Sequence, residues 1–108
     1  MDQPYQDIDI ETFRSDFVEA DRNDYILLDV REEFEYAGGH IPNAVNIPMS
    51  AINARIDDIP QDKPVIIVCA TGNRSAYLAE ALAPHGWNNL YNLLDGTMGW
   101  MMRGLPTE

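Results

Sequence analysis

Val65-Ile66-Ile67-Val68-Cys69-Ala70-Thr71-Gly72-Asn73-Arg74-Ser75 is the stretch that decides the fold. Its first four residues are all β-branched and aliphatic. A run without polar alternation predicts a strand covered on both faces, the usual state of a central parallel strand. Cys69 to Arg74 reads as a loop. From Ser75 onward, Tyr77, Leu78, Ala81 and Leu82 have helical spacing, and Pro84 and Gly86 stop the helix. Strand, short loop and helix in that order form the repeating unit of a parallel α/β sheet. Cys69 then falls at the carboxyl end of its strand, where open α/β sheets bind ligands.

The loop has the composition of an anion cradle. Small and turn-prone residues let successive backbone N–H groups curl round the sulfur, and the positive end of the following helix points at the same place. Arg74 is expected to close the loop with a permanent cation. Each effect favours the thiolate, so the Cys69 pKa is expected below its reference of about 8.5. Gly72 supplies backbone freedom at the tightest point, where a side chain would block the cradle. The alternative is a buried, inert core cysteine, a common fate for this residue type. That reading leaves the adjoining glycine, arginine and helix start unexplained.

Working outward, apolar runs alternate with helical patterns, which predicts an α/β fold with a mainly parallel sheet. Asp9 is placed to cap a helix carrying Ile10, Phe13, Phe17 and Val18 on one face. Tyr25–Leu28 reads as a central strand, Glu32–Ala37 as a short helix ended by Gly38-Gly39, and Ala44–Ile47 as a brief strand closed by Pro48. Ser50 is expected to cap a segment with Ile52, Ile56 and Ile59 at helical spacing. Leu90–Leu94 reads as the last strand and Met98–Arg103 as a short final helix. There is no internal repeat, low-complexity tract or linker, so residues 1–108 are read as one domain.

The 108 residues are 45% hydrophobic, enough for one packed core and too few residues for two. The formal net charge is −11, which repels phosphate backbones and anionic lipid and argues against nucleic acid or a membrane surface as partner. No apolar run reaches the length of a membrane span, and the first residues lack the basic and apolar regions of a secretory signal. Cytoplasmic location and a monomer are the expectations. With one cysteine there is no intrachain disulfide, and His40 and His85 stand too far apart in sequence to suggest a zinc site, so no metal is expected.

Three blocks resemble one family. Cys69-Ala70-Thr71-Gly72-Asn73-Arg74-Ser75 is similar to the active-site loop of the rhodanese-like sulfurtransferases. Leu28-Asp29-Val30-Arg31 through Gly39-His40-Ile41-Pro42-Asn43-Ala44-Val45-Asn46-Ile47-Pro48 resembles the family's Asp-x-Arg and Gly-His-Ile-Pro signatures. Asn92-Leu93-Leu94-Asp95-Gly96 to Trp100 resembles its C-terminal signature. The blocks stand in the family's order and span most of the chain.

The resemblance implies a three-layer α/β/α rhodanese-like fold with a small, mainly parallel central sheet. It also implies sulfur transfer through a Cys69 persulfide, with Ala70, Thr71, Gly72, Asn73, Arg74 and Ser75 as the binding loop. The implied donor is thiosulfate or a similar small sulfur compound, the acceptor a thiol, a protein thiol or, in an assay, cyanide. No cofactor is required. Four residues separate Cys69 from Arg74, one fewer than in the related dual-specificity phosphatases, so the cradle is tight for a tetrahedral phosphate. A phosphatase or arsenate-reducing relative is therefore disfavoured. The other alternative is a rhodanese-fold docking or signalling module with incidental activity, against which the intact cysteine loop argues.

Asp29, Arg31 and His40 are expected to support the site. Asp29 and Arg31 are read chiefly as a buried salt bridge at a strand end, and His40 as a loop-fixing residue in preference to a general base. His85 is read as a solvent-facing cap residue. Trp87, Trp100, Met98, Met101 and Met102 are expected to fill the core, and the acidic stretches Asp16–Asp24 and Glu32–Glu35 to be solvated faces. Two positions depart from the family pattern. Thr97 stands where a second glycine is frequent, and it is placed to cap the last helix. Ala70 stands where many thiosulfate-active members have a basic residue, so the pull on a dianionic donor is expected to be weaker.

Overall fold

A computed structural model describes residues 3–108. Five strands carry the fold: β1 (Gln6–Ile8), β2 (Ile26–Asp29), β3 (Val45–Asn46), β4 (Val65–Val68) and β5 (Leu90–Leu93). They form one sheet in the order β1-β5-β4-β2-β3, and every pairing is parallel. The central strand β4 is buried at all four positions, as its unbroken aliphatic run requires.

Alternate residues of the strands feed two separate cores. Leu28, Val65, Ile67, Cys69 and Leu90 face α3 (Asn73–Leu82) together with Ile52, Ile59 and Trp87. Ile8, Leu27, Ile66, Val68 and Leu93 face the opposite layer, which holds Ile10, Phe13, Phe17 and Trp100. That layer is built by α1 (Ile10–Phe13) and α4 (Gly96–Met102), while α2 (Glu33–Ala37) follows β2 and lends Tyr36 to the same core. The architecture is thus α/β/α around a small parallel sheet. Among the described residues no helix is long and apolar enough to cross a membrane.

Asp9 caps α1 as read from the sequence, accepting the Thr12 N–H at 2.7 Å. Several elements differ from their sequence expectations, each for a local reason. The first helix widens into a π-turn over Arg14–Val18, which keeps Phe17 beneath Phe13 but swings Val18 out to 45% exposure. The segment after Pro48 forms two 3₁₀ turns, Met49–Ala51 and Ile56–Asp58, not a continuous helix. Ser50 lies inside the first of these and donates its hydroxyl to Glu32 Oε1 at 2.7 Å instead of capping. The edge strand β1 carries no hydrophobic signal beyond Ile8 and was not expected.

The last helix starts at Gly96, two residues before Met98, because the N–H groups of Thr97 and Met98 find carbonyl partners in the Cys69 loop. Thr97 is consequently inside the helix and buried, not its cap. The helix buries Gly96, Thr97, Gly99 and Trp100, so Met98, Met101 and Met102 fall on the other face and are exposed rather than core-filling.

Candidate active site

All the expected site residues except His40 lie at, or just after, the carboxyl ends of β4 and its neighbour β2. Cys69 leaves β4 with only 1% of its surface exposed. The chain then doubles back through Gly72, whose φ of 103° is a left-handed conformation that glycine adopts without strain. The turn brings the Gly72 N–H to 3.1 Å from the Cys69 sulfur.

The helix α3 begins at Asn73, two residues earlier than its apolar spacing suggests, so Ser75 lies in the first turn and is fully buried. Its hydroxyl stands 3.3 Å from the sulfur and donates to Asn92 Oδ1 at 2.5 Å. Burial is the largest single influence on the Cys69 thiol and pushes its pKa up. The Ser75 hydroxyl and the amides of Ser75, Gly72 and Thr71 together outweigh it and hold the thiol below its ordinary value. Ala70 is half-buried, and Thr71 and Asn73 face solvent at the mouth of the loop.

Arg74 does not close over the sulfur as the sequence suggested. Standing in the first turn of α3, it forks onto Glu35, with Nη1 at 2.8 Å from one carboxylate oxygen and Nη2 at 3.0 Å from the other. The Arg74 bond holds the Glu35 carboxyl down at about 2. Glu35 is therefore not a solvated face residue: the same side chain also accepts the Glu32 N–H and closes a capping box at the start of α2. After Glu35, the negative charge of Cys69 is among the influences that keep the guanidinium charged.

Asp29 and Arg31 form a buried pair at the end of β2. Arg31 Nη2 lies 2.9 Å from Asp29 Oδ2, and Arg31 also donates to the carbonyls of Gly39 and Glu35 at 2.8 and 3.3 Å. The pair thereby ties the strand end to the middle of α2 and to the turn that follows it. His40 is held by Tyr36: its Nδ1 is 2.9 Å from the Tyr36 carbonyl, and its ring stacks on Tyr36 with centroids 3.6 Å apart. His85 is exposed, and Trp87 and Trp100 are buried, one in each core.

The floor of the loop comes from α4. Thr97 N–H donates to Cys69 O at 2.8 Å, and Met98 N–H donates to Ala70 O at 3.0 Å. Asp95 and Gly96 both have positive φ, 65° and 59°, which turns β5 sharply enough to bring the two chains together. A Cβ on Gly96 would lie 2.5 Å from each of those carbonyl oxygens, so the close approach requires glycine there. A shallow hollow beside the loop is lined by Thr71, Asp95, Met98, Gly99, Met102 and Arg103.

Sequence reasoning missed Glu35 and Asn92. Glu35 sat among acidic residues with nothing to mark its pairing 39 positions away. Asn92 carried a weak signal, a polar residue inside an apolar strand pattern between Leu90 and Leu93.

The family model described as Rhodanese-like domain matches residues 16–103. A sulfurtransferase of Allochromatium vinosum is 39% identical over 87 residues, covering 81% of this chain and 81% of the relative. The thiosulfate sulfurtransferase GlpE of Actinobacillus pleuropneumoniae is 30% identical over 82 residues, covering 76% of each chain. Among solved structures, a rhodanese-related protein of Thermoplasma volcanium superposes with a TM-score of 0.84 at 33% identity, covering 96% of this chain and 98% of that one. The matched span runs from within the π-turn to just past the end of α4, and with it the Cys69 loop: the chain belongs to the rhodanese-like family.

Proposed function

We propose that this domain is a sulfurtransferase that carries sulfane sulfur as a persulfide on Cys69, with residues 1–108 acting as a single domain. The observation that carries the reading is the surrounding of the sulfur: a buried thiol with a lowered pKa, faced by the Gly72 amide and the Ser75 hydroxyl. The Gly72 amide donates to the sulfur as it stands, and the Ser75 hydroxyl can turn its proton from Asn92 to the sulfur, which together stabilise a thiolate before attack and a persulfide anion after it.

In the first step the Cys69 thiolate attacks the outer sulfur of thiosulfate. A new S–S bond forms to Cys69, the thiosulfate S–S bond breaks, and sulfite leaves with the bonding pair. In the second step an acceptor thiolate attacks the outer sulfur of the persulfide, takes it as its own persulfide, and returns Cys69 as thiolate. Cyanide gives thiocyanate by the same route. No net oxidation occurs, and ping-pong kinetics follow.

The charge pattern bears on the donor. Ala70 adds no cation, and Arg74, the one cation of the loop, is already paired with Glu35. A dianion such as thiosulfate gains little there, so a protein persulfide or another donor of lower charge is the better physiological substrate, and a protein thiol the fitting acceptor. A lone unpaired cysteine suits the reducing cytoplasm. Intact mass after incubation with thiosulfate and with a small persulfide tests the reading. The expected result is a gain of about 32 Da on the wild type, absent in Cys69→Ser and reversed by cyanide. No gain from either donor refutes it.

A further inference from the structure

The polar contacts of Cys69 continue past Ser75 to the edge of the sheet. Asn92 accepts the Ser75 hydroxyl proton through Oδ1 and donates through Nδ2 to Asp7 Oδ1 at 3.1 Å. Strand register makes the last contact unavoidable, since Asp7 on β1 is the direct neighbour of Asn92 on β5. Asn92 in turn neighbours Ile67, two residues before Cys69, so all three side chains lie on the face covered by α3. Asn92 is 3% exposed, while Asp7 reaches solvent.

A serine hydroxyl has one proton. While Ser75 gives it to Asn92, the hydroxyl oxygen is free only to accept from the Cys69 thiol, which is the arrangement of the protonated sulfur. When the thiol proton leaves to water, Ser75 must turn its own proton toward the thiolate. Its oxygen then faces Asn92 Oδ1, two acceptors without a proton between them. Rotating the Asn92 amide by half a turn repairs this, because Nδ2 then donates to Ser75. Yet the same rotation turns Oδ1 toward the Asp7 carboxylate, which accepts only. An ionised Asp7 therefore holds Asn92 in the orientation that suits the thiol.

We propose that Asn92, oriented by Asp7, is a positioning residue that decides where the Ser75 proton points, and that Asp7 thereby restrains the ionisation of Cys69 from the sheet edge. The proposal deepens the sulfurtransferase reading but needs only that Cys69 ionise. The other charged groups round the sulfur are Arg74 on α3, Glu35 on α2, and the Asp29–Arg31 pair at the end of β2, all paired with one another. Beside Asp7 is Tyr5, which Glu80 also approaches, and Gln3 donates to Asp7 Oδ2 at 3.1 Å.

The test is Asp7→Asn, read as the pH profile of Cys69 alkylation by iodoacetamide. An asparagine there can donate as well as accept, so it meets either orientation of Asn92. The alkylation midpoint should fall by about half a unit, making the reaction about threefold faster at pH values below the midpoint. The same substitution in a Ser75→Ala background should leave the midpoint in place, because the route to sulfur is cut. Should that background not fold, Asn92→Ala serves the same purpose. An unchanged midpoint in Asp7→Asn alone overturns the proposal. So does an equal shift in the cut background, which would assign the effect to the carboxylate's charge acting directly. Alkylation needs no sulfur donor, so a wild type that gains no sulfur from thiosulfate leaves this test intact.

Discussion

Gly96→Ala perturbs the contact on which the Cys69 loop rests. The added Cβ would stand 2.5 Å from both Cys69 O and Ala70 O and 2.6 Å from the Ala70 carbonyl carbon, all backbone atoms that no rotamer change can move. Ordinary contact begins near 3.4 Å, so the loop and α4 must part by nearly an ångström. That separation breaks the bonds from Thr97 N–H and Met98 N–H, now 2.8 and 3.0 Å long. Each is worth about 1 kcal/mol net. Holding alanine at a φ of 59° costs roughly another 1 kcal/mol. The expected loss is therefore about 3 kcal/mol, a large share of the ~5–15 kcal/mol typical of a domain. Urea unfolding followed by the fluorescence of Trp87 and Trp100 should show a midpoint lower by about 1.5 M, using a slope of ~2 kcal/mol/M. Cys69 should also alkylate faster under native conditions, because the loop has lost its floor. A midpoint within about 0.3 M of wild type would refute the steric reasoning.

Thr97→Val should stabilise the fold by about 1 kcal/mol, because the Thr97 hydroxyl is buried with no hydrogen-bond partner among the described residues and valine keeps its shape. The urea midpoint measures this, and a destabilised variant would mean that the hydroxyl is satisfied. The Glu35–Arg74 pair makes a pH-dependent contribution of definite sign. The folded carboxyl titrates at about 2 against an ordinary 4.5, so the stabilisation is complete above 4.5 and disappears as the pH falls through about 2. Because the pair is partly exposed, its size is about 1 kcal/mol. The difference in Tm between wild type and Glu35→Gln should shrink as the pH is lowered from 6 to 2, whereas a difference independent of pH would count against the pair.

The elements legible in the sequence are those whose residues report their own burial. Val65–Val68 must be enclosed on both faces, which points to a parallel sheet and puts Cys69 at the carboxyl end of a central strand, where open α/β sheets in general bind ligands. The helix after the loop was legible through Leu78 and Leu82, although Tyr77 and Ala81, read with them, turn out to solvent and Ser75 and Ala79 are buried instead. Its true start at Asn73 was not legible, since Asn73 and Arg74 lie off the buried face. The edge strand β1 escaped notice because only Ile8 of its three residues is buried. Partnership across the chain was the least visible property. Neither Glu35 nor Asn92 shows in its immediate neighbours that it will meet Arg74 or Ser75; register and helix placement decide it. Arg74, read as the last residue of the loop, stands instead in the first turn of α3 and points to Glu35, for the same reason.

The all-parallel strand order has a consequence for how the molecule assembles. No two strands are joined by a hairpin, and β1 pairs only with β5, bringing residue 6 beside residue 91. Closing so long a loop is entropically costly and is compensated only after the distant partners meet, so folding should be slow for a domain of this size. During synthesis the first strand made must wait for the last. The β2–β4 pair is available earlier, with both strands completed by Val68. Cys69 is thus surrounded first by its own loop and helix, and receives Asn92 and Asp7 only when the outer edge of the sheet docks. A newly made chain passes through a stage in which its one thiol already has its cradle but not yet its restraint.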